Sequence, residues 1–188
     1  MGQRLVLASQ SPRRREILTF AGIPFTVRVP GVEEIRLPGE APENYVQRLA
    51  RDKARAVPID EEEIVLSADT VVVLQHHVLE KPRDREDAVR MLSLLSGAEH
   101  QVMTGICLRT QHDELVDLAV TRVWFSPLSP GEIAAYAAGG EPNDKAGGYA
   151  IQGLASKFIE RIEGCYFNVV GLPVALVYRR LKQIGYEP

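Results

Sequence analysis

Residues 64–74 form a nearly continuous apolar run, and this run constrains the fold more than any other part of the sequence. Such a run is typical of a central strand that is covered on both faces. It is interrupted by Ser67, Asp69 and Thr70, and polar groups in such a strand are costly unless they have partners. A partly buried carboxylate can serve as a general base or a metal ligand, so Asp69 is the clearest candidate for chemistry. An Asx-type turn between two hairpin strands is the alternative for Asp69.

A second informative stretch lies near the N-terminus, where a short apolar run ends and a helix is predicted to begin. Ser11 is a good N-cap, and Pro12 suits the first helical position because its missing N–H is not needed there. Free backbone N–H groups at such a helix end bind anions. The first turn also carries Arg13, Arg14 and Arg15, which the positive end of the helix dipole disfavours, so we expect a phosphate chain to compensate. A surface helix with solvated arginines is the alternative.

The composition is that of an ordinary globular chain, with 188 residues, 45% apolar, 25% charged and a net charge of -3. The charge argues against a broad nucleic-acid or membrane-binding surface. Cys107 and Cys165 stand outside any CxxC or Cys/His ligand spacing, so neither a zinc site nor a disulfide framework is indicated. Because no bilayer-spanning run, signal-peptide pattern or glycosylation acceptor occurs, the sequence predicts a soluble cytoplasmic protein.

Several charged residues outside these stretches are candidates for a site. Glu33 and Glu34 form an acidic pair in a loop, which is typical of solvated carboxylates, with a metal or base role as the alternative. Lys53 lies on a predicted amphipathic helix and either reaches a site or is exposed. The backbone of Lys81 is restricted, because Pro82 holds the residue before it out of helical geometry.

Residues 139–153 form the one long glycine-rich segment. It follows a helix that is predicted to begin at a capping box formed by Ser129 and Glu132. A loop of this length inside a compact domain is usually functional or mobile. It lacks the spacings of the P-loop and of the dinucleotide-binding fingerprint, so the two common phosphate-binding motifs are absent.

The motifs of this chain resemble a known set when they are taken together. They are LASxSPRR at residues 7–14, SADTVV at 67–72, KP at 81–82, LSG at 95–97, DKAG at 144–147, IQG at 151–153 and NVVGLP at 168–173. In this order they resemble the signatures of the Maf family of nucleoside triphosphate pyrophosphatases. The resemblance covers nearly the whole chain.

The resemblance implies hydrolysis of a nucleoside triphosphate between its α and β phosphates, giving the monophosphate and pyrophosphate. It implies a divalent cation, Mg²⁺ or else Mn²⁺ or Co²⁺, with Glu33 and Asp69 as the residues at the metal. Asp69 matches the proton acceptor of the family, which suits a reaction that must deprotonate water. The residues that would hold the phosphates are Ser9, Arg13, Arg14, Lys53 and Lys81.

The resemblance also implies a mixed α/β fold, Maf/ITPase-like, with a central twisted mixed sheet, helices and two lobes around a cleft. We expect one domain over residues 1–188 without an independent linker, and commonly a homodimer. A rival function is a nucleotide-sensing or nucleic-acid-binding regulator, because the family has been linked to inhibition of septum formation. The chain shows no basic face broad enough for salt-dependent DNA binding, which argues against this rival.

Three positions that differ between subgroups of the family bear on the base. The subgroup that acts on dTTP and UTP carries Arg, Thr and Gln where this chain has Arg13, Thr70 and Gln152. The subgroup that acts on 7-methyl-GTP tends toward Trp, Gln and Glu there. A Gln amide offers both a donor and an acceptor, so it can pair with the O4/N3–H edge that uracil and thymine share. The resemblance therefore implies dTTP and UTP as substrates, with 7-methyl-GTP as the alternative.

Overall fold

The computed structural model describes residues 3–187, over which strands and helices are mixed along the chain. The strands are β1 (Arg4–Ala8), β2 (Thr26–Arg28), β3 (Glu63–Leu74), β4 (His77–Leu79), β5 (Glu99–Arg109), β6 (Glu114–Phe125) and β7 (Ile159–Glu163). The α-helices are α1 (Pro12–Phe20), α2 (Pro42–Arg55), α3 (Arg85–Leu95), α4 (Pro130–Ala138), α5 (Tyr166–Val170) and α6 (Val174–Gln183). Within the same residues, no helix is long and apolar enough to cross a membrane.

The strands of the described residues form one mixed sheet in the order β2-β1-β3-β5-β6-β7, with β4 paired to β3. Strand β1 runs parallel to both β2 and β3, and its Leu7 is in register with Leu66. Strands β4 and β7 run antiparallel to β3 and β6, respectively. The predicted mixed α/β fold with a central mixed sheet is confirmed.

The chain divides into two compact units, each of which is formed by separate segments. Over the described residues, the first unit comprises 3–69, 104–119 and 171–187, and the second comprises 70–103 and 120–170. Strand β3 therefore passes from the first unit into the second between Asp69 and Thr70. Each unit has its own apolar cluster. That of the first is formed by Val6, Ala8, Ala50, Ala54, Val57, Val65 and Cys107, and that of the second includes Val72, Leu92, Val102, Phe125, Tyr136, Tyr149 and Phe158.

The helix starts follow from local side-chain chemistry. The Ser11 hydroxyl accepts a hydrogen bond from the Arg14 backbone N–H at 3.5 Å, and Pro12 opens α1. Ser129 and Glu132 form the reciprocal capping box of α4. Each device satisfies backbone donors that a helix end leaves unpaired, so both predicted starts are confirmed.

Asp69 lies within the unbroken strand β3, as the apolar run predicts, and not in the alternative Asx turn. Two other local features differ from what the sequence pattern indicates. The glycine-rich loop contains short 3₁₀ helices at Glu141–Asp144 and Ala146–Gly148, followed by another at Leu154–Phe158. Helix α5 has only five residues and was not predicted. Elements this short show no hydrophobic periodicity, so nothing in the apolar pattern could identify them.

Helix α2 packs directly on the backbone of β5 in the first unit. A Cβ at Gly105 would overlap the Val46 carbonyl and lie 2.7 Å from the Gln47 backbone nitrogen. The position therefore needs glycine because another backbone approaches it closely. Helix α2 is also held to β3, since the Ser67 hydroxyl donates a hydrogen bond to the Ala50 carbonyl. These two contacts fix the helix that carries Lys53.

Candidate active site

The chain leaves β1 through a short turn whose hydroxyl groups are organised before any ligand binds. Ser9 is buried, and its Oγ accepts a hydrogen bond from the Ser11 backbone N–H at 3.1 Å. The first turn of α1 that follows contains no acidic residue. The predicted arrangement of serine hydroxyls, helix N-terminus and arginines is therefore present in the first unit.

Arg14 is the arginine whose contacts are best defined. Its Nε donates to the Gly171 carbonyl at 2.8 Å, and its Nη1 lies 3.3 Å from Ser9 Oγ. Burial lowers the pKa of the Arg14 guanidinium, and the nearby carboxylates of Asp69 and Glu34 oppose that effect. A guanidinium keeps its charge despite such shifts, so Arg14 presents an oriented cation. Arg13, the preceding residue on α1, is half-buried.

Lys53, Asp69 and Glu34 form the centre of the candidate site. The Lys53 ammonium donates to Asp69 Oδ1 at 2.6 Å and to Glu34 Oε1 at 2.5 Å. Lys53 is 5% exposed and Asp69 is 6% exposed, whereas the Glu34 side chain is 38% exposed. One buried cation therefore bridges a buried carboxylate and one that is open to solvent. Of the two possibilities for Lys53, the structure shows that it is buried against these acids.

The electrostatic setting of Asp69 is unusual for a carboxylate. Burial raises the pKa of Asp69, while the charges of Lys53 and Arg14 act against this rise and the charge of Glu34 adds to it. Desolvation disfavours the charged form, and a nearby cation favours it. A carboxylate whose charged form is disfavoured in this way is a stronger proton acceptor than an exposed aspartate.

The carboxylates are the groups that could hold a metal ion. Among residues 3–187, no group of three or more His, Cys, Asp or Glu side chains converges on one point. Mg²⁺ needs no such group when one or two carboxylates and the substrate phosphates complete its coordination. Asp69 and Glu34, which share the Lys53 ammonium, supply oxygen ligands of that type. Glu33, the acid that the family resemblance implies at the metal, is exposed.

The remaining candidate residues belong to the second unit. Thr70 follows Asp69 in β3 and is half-buried. Lys81 is exposed and precedes the buried Pro82 between β4 and α3. Gln152 is exposed in a turn within the glycine-rich segment. That segment is tied to the residue before Lys81, because the Gly147 backbone N–H donates to the Glu80 carbonyl at 3.0 Å.

Two groups at the first-unit site were not selected from the sequence. In the sequence Glu34 is one half of an acidic pair, and nothing there says which member of the pair reaches Lys53. The Gly171 carbonyl, which accepts from Arg14, lies 157 residues along the chain. Its only signal was its place in the NVVGLP motif, which identifies a segment but not a backbone acceptor.

Comparison with known proteins gives matches over nearly the full length. A family model described as Maf-like protein matches residues 4–184. A dTTP/UTP pyrophosphatase of Koribacter versatilis is 51% identical over 186 residues, which cover 98% of this chain and 96% of the relative. A dTTP/UTP pyrophosphatase of Vibrio cholerae is 54% identical over 176 residues, covering 91% and 92%, respectively.

A solved structure supports the fold independently. The Staphylococcus aureus Ham1 protein matches with a TM-score of 0.53 at 11% sequence identity, over 97% of this chain and 100% of that protein. At this identity the likeness concerns the path of the backbone only. It agrees with the predicted architecture.

Proposed function

Because this chain belongs to the Maf family, we propose that it hydrolyses dTTP and UTP to the corresponding monophosphate and pyrophosphate. Relatives that carry the name dTTP/UTP pyrophosphatase are 51% and 54% identical to it. The single observation that carries the chemical part of the proposal is the buried Asp69 carboxylate held by Lys53. This pair has the charge and the burial that a general base for water needs.

In the proposed reaction, the oxygen of a water molecule attacks the α-phosphorus of the nucleotide. The bond from this phosphorus to the oxygen that bridges the α and β phosphates breaks, and pyrophosphate leaves with the bonding electrons. Asp69 takes the proton of the attacking water. The ammonium of Lys53 holds Asp69 Oδ1 in place and opposes the rise in the pKa of Asp69 that burial causes.

Negative charge moves onto the pyrophosphate as it leaves, so fixed cations and hydroxyl donors should stabilise the transition state. We assign this role to Arg14 and Ser9. Their mutual contact and the hydrogen bond from Arg14 to the Gly171 carbonyl support a fixed orientation. The same role for Arg13, Lys53 and Lys81 is proposed from the family resemblance and from their charge.

A divalent cation is proposed as the cofactor, with Mg²⁺ first and Mn²⁺ or Co²⁺ as alternatives. Asp69 and Glu34 would hold it, because their carboxylates share one ammonium, and Glu33 is the alternative to Glu34. When bound, such a cation neutralises phosphate charge and lowers the pKa of a coordinated water.

Recognition of the base is proposed for Arg13, Thr70 and Gln152. Their identities are those of the dTTP/UTP subgroup. The Gln152 amide can match the alternating acceptor and donor of the uracil and thymine edge. A homodimer is a further proposal that rests on the resemblance, and a cytoplasmic location is one that rests on the sequence pattern.

The decisive experiment follows pyrophosphate release from dTTP, UTP, CTP, dATP, dGTP and 7-methyl-GTP with Mg²⁺. We expect kcat/KM for dTTP and UTP to exceed that for the purine nucleotides, and we expect activity to disappear with chelator and return with cation. A higher kcat/KM for 7-methyl-GTP would overturn the base assignment alone. Absence of pyrophosphate release from every nucleotide would overturn the enzymatic function and favour a regulator. Sedimentation of the same preparation tests the homodimer.

A further inference from the structure

Gln152 stands in a tight turn whose backbone is held from both sides. The turn closes when the Gly153 N–H donates to the Ala150 carbonyl at 3.1 Å, which leaves Ile151 and Gln152 as its central residues. Ile151 is buried and Gln152 is exposed. The direction of the Gln152 side chain therefore depends on what fixes this turn to the rest of the second unit.

The first anchor of the turn is the hydroxyl group of Tyr136, on helix α4. It accepts a hydrogen bond from the Ala150 N–H at 3.1 Å and donates one to Glu141 Oε1 at 2.7 Å. Tyr136 is buried, and burial raises the pKa of its hydroxyl well above the usual range. The hydroxyl therefore stays protonated and remains a donor.

The second anchor is the carboxylate of Glu141, which also reaches the far side of the turn. Its Oε2 accepts a hydrogen bond from the Leu154 N–H at 3.1 Å. Gly153 lies against this carboxylate so closely that a Cβ at residue 153 would come within 2.6 Å of Oε1. The carboxylate therefore fills the space beside the turn and touches the residue that follows Gln152.

Because residue 141 is a glutamate, the hydrogen bonds that join Tyr136, Glu141 and Ala150 can run in one direction only. An ionised carboxylate only accepts hydrogen bonds, so the Tyr136 hydroxyl must donate to Glu141 and keep its lone pairs for the Ala150 N–H. An isolated buried tyrosine hydroxyl would be satisfied by one partner. Here two side chains instead connect the backbone on both sides of Gln152, at Ala150 and at Leu154.

We propose that Tyr136 and Glu141 are positioning residues that set the base selectivity of the enzyme through Gln152. This inference rests on the proposed function, because it concerns how the same enzyme distinguishes pyrimidine from purine nucleotides. Tyr136 and Glu141 do not touch the base themselves. They fix the turn so that the Gln152 amide presents its donor and acceptor in one orientation.

The test measures kcat and KM of purified variants with dTTP and with dGTP. In Glu141→Ala, the ratio of kcat/KM for dTTP over dGTP falls about tenfold. This change corresponds to the loss of about one hydrogen bond between the Gln152 amide and the base. The selectivity ratio falls mainly because KM for dTTP rises, since the Gln152 amide contacts the base in the ground state as well as in the transition state. Tyr136→Phe, which removes the donor to Glu141 and the acceptor for Ala150, gives the same change.

A conservative variant tests whether selectivity depends on the hydrogen bonds of Glu141 or on its charge. In Glu141→Gln the amide oxygen can still accept from the Leu154 N–H, and the amide NH₂ can donate to the Tyr136 hydroxyl. This variant therefore retains most of the selectivity. The matched control is Glu132→Ala, which removes the capping box of the same helix α4 at its exposed N-terminus. It lowers Tm without changing the selectivity ratio.

The outcomes distinguish this inference from the proposed function. A wild-type enzyme that releases pyrophosphate without preference for dTTP over dGTP overturns both the base assignment of the proposed function and this inference, and a wild type that releases none overturns the enzymatic function. A selective wild type together with an equally selective Glu141→Ala and Tyr136→Phe overturns the positioning role alone. The double variant Glu141→Ala/Gln152→Ala is expected to lose no more selectivity than Gln152→Ala. A larger loss in the double variant would mean that Glu141 acts by another route and would also overturn the inference.

Discussion

The ammonium of Lys53 lies 2.6 Å from Oδ1 of Asp69, and both residues are buried. A buried ion pair of this kind is weak evidence for stability, because desolvation offsets much of the attraction. It is stronger evidence for function, since burial and a specific partner together perturb the protonation of a candidate base. The variants that test it should therefore change the chemistry of one group and keep its shape.

Asp69→Asn is expected to lower kcat about 10²- to 10⁴-fold, because it removes the proton acceptor of the reaction. Asn keeps the shape of the side chain and an oxygen that can accept from Lys53, so Tm should stay close to that of the wild type. Pyrophosphate release and thermal unfolding measure the two effects. Asp113→Asn, at an exposed turn residue, serves as the control. Wild-type turnover in Asp69→Asn would exclude the base role.

Lys53→Met is expected to move the acidic limb of the kcat/KM profile to higher pH. Asp69 must be ionised to accept a proton, so activity rises as the pH passes its pKa. Burial already raises the pKa of Asp69, and the Lys53 charge opposes that rise. Removing the charge should therefore raise the pKa further, while kcat also falls. Lys157→Met, at an exposed lysine, should leave the limb in place, and an unmoved limb in Lys53→Met would contradict the coupling.

Arg14→Ala is expected to lower both kcat/KM and stability. The side chain already bonds the Gly171 carbonyl and contacts Ser9, so its removal should cost about 1 to 2 kcal/mol in the free enzyme. For a chain of this size, that loss corresponds to a decrease in Tm of about 2 to 8 °C. Arg15→Ala, at an exposed neighbour on α1, should change neither quantity. Unchanged kinetics in Arg14→Ala would make the residue purely structural.

Glu34→Gln is expected to raise the Mg²⁺ concentration needed for half-maximal activity, because it replaces a carboxylate ligand with a neutral amide. Glu33→Gln should leave that concentration unchanged, since Glu34 is the acid that contacts Lys53. Titration of each variant with Mg²⁺ compares the two. If instead Glu33→Gln raised the Mg²⁺ concentration for half-maximal activity and Glu34→Gln did not, the metal role would belong to Glu33.

Gln152→Glu is expected to reduce kcat/KM for dTTP and UTP, because a carboxylate offers no donor to the O4 of either base. Sites that lose a matched polar contact discriminate strongly against their former substrate. The measurement is the ratio of kcat/KM for dTTP over 7-methyl-GTP. Gln183→Glu on α6 makes the same chemical change at an exposed position and should leave the ratio unchanged. An unaltered ratio in Gln152→Glu would remove the residue from base recognition.

The parts of the fold that local chemistry determines could be predicted from the sequence. Ser11 and Ser129 start helices because their hydroxyls cap nearby N–H groups. The long apolar run indicates a central strand because its alternating side chains are nearly all buried on both faces of β3.

The contacts between distant segments could not be predicted in the same way. Glu34 differs from Glu33 only in the direction of its side chain, and that direction depends on how the loop lies against α2. The acceptor of Arg14 is a backbone carbonyl, which leaves no mark on the identity of residue 171. Likewise, Glu141 is of a residue type that usually lies on the surface, and only the fold brings it to Tyr136 and Leu154.

The close approach of Gly105 to Val46 affects the distance between Lys53 and Asp69 as well as the packing of α2 on β5. Val46 and Lys53 lie on the same helix, separated by about 10 Å along its axis. A rigid helix that was lifted by the length of one carbon–carbon bond, about 1.5 Å, would carry Lys53 with it. The 2.6 Å contact with Asp69 would then exceed hydrogen-bonding distance. The absence of a side chain at Gly105 on β5 thus allows α2 to lie close enough for Lys53 to reach Asp69.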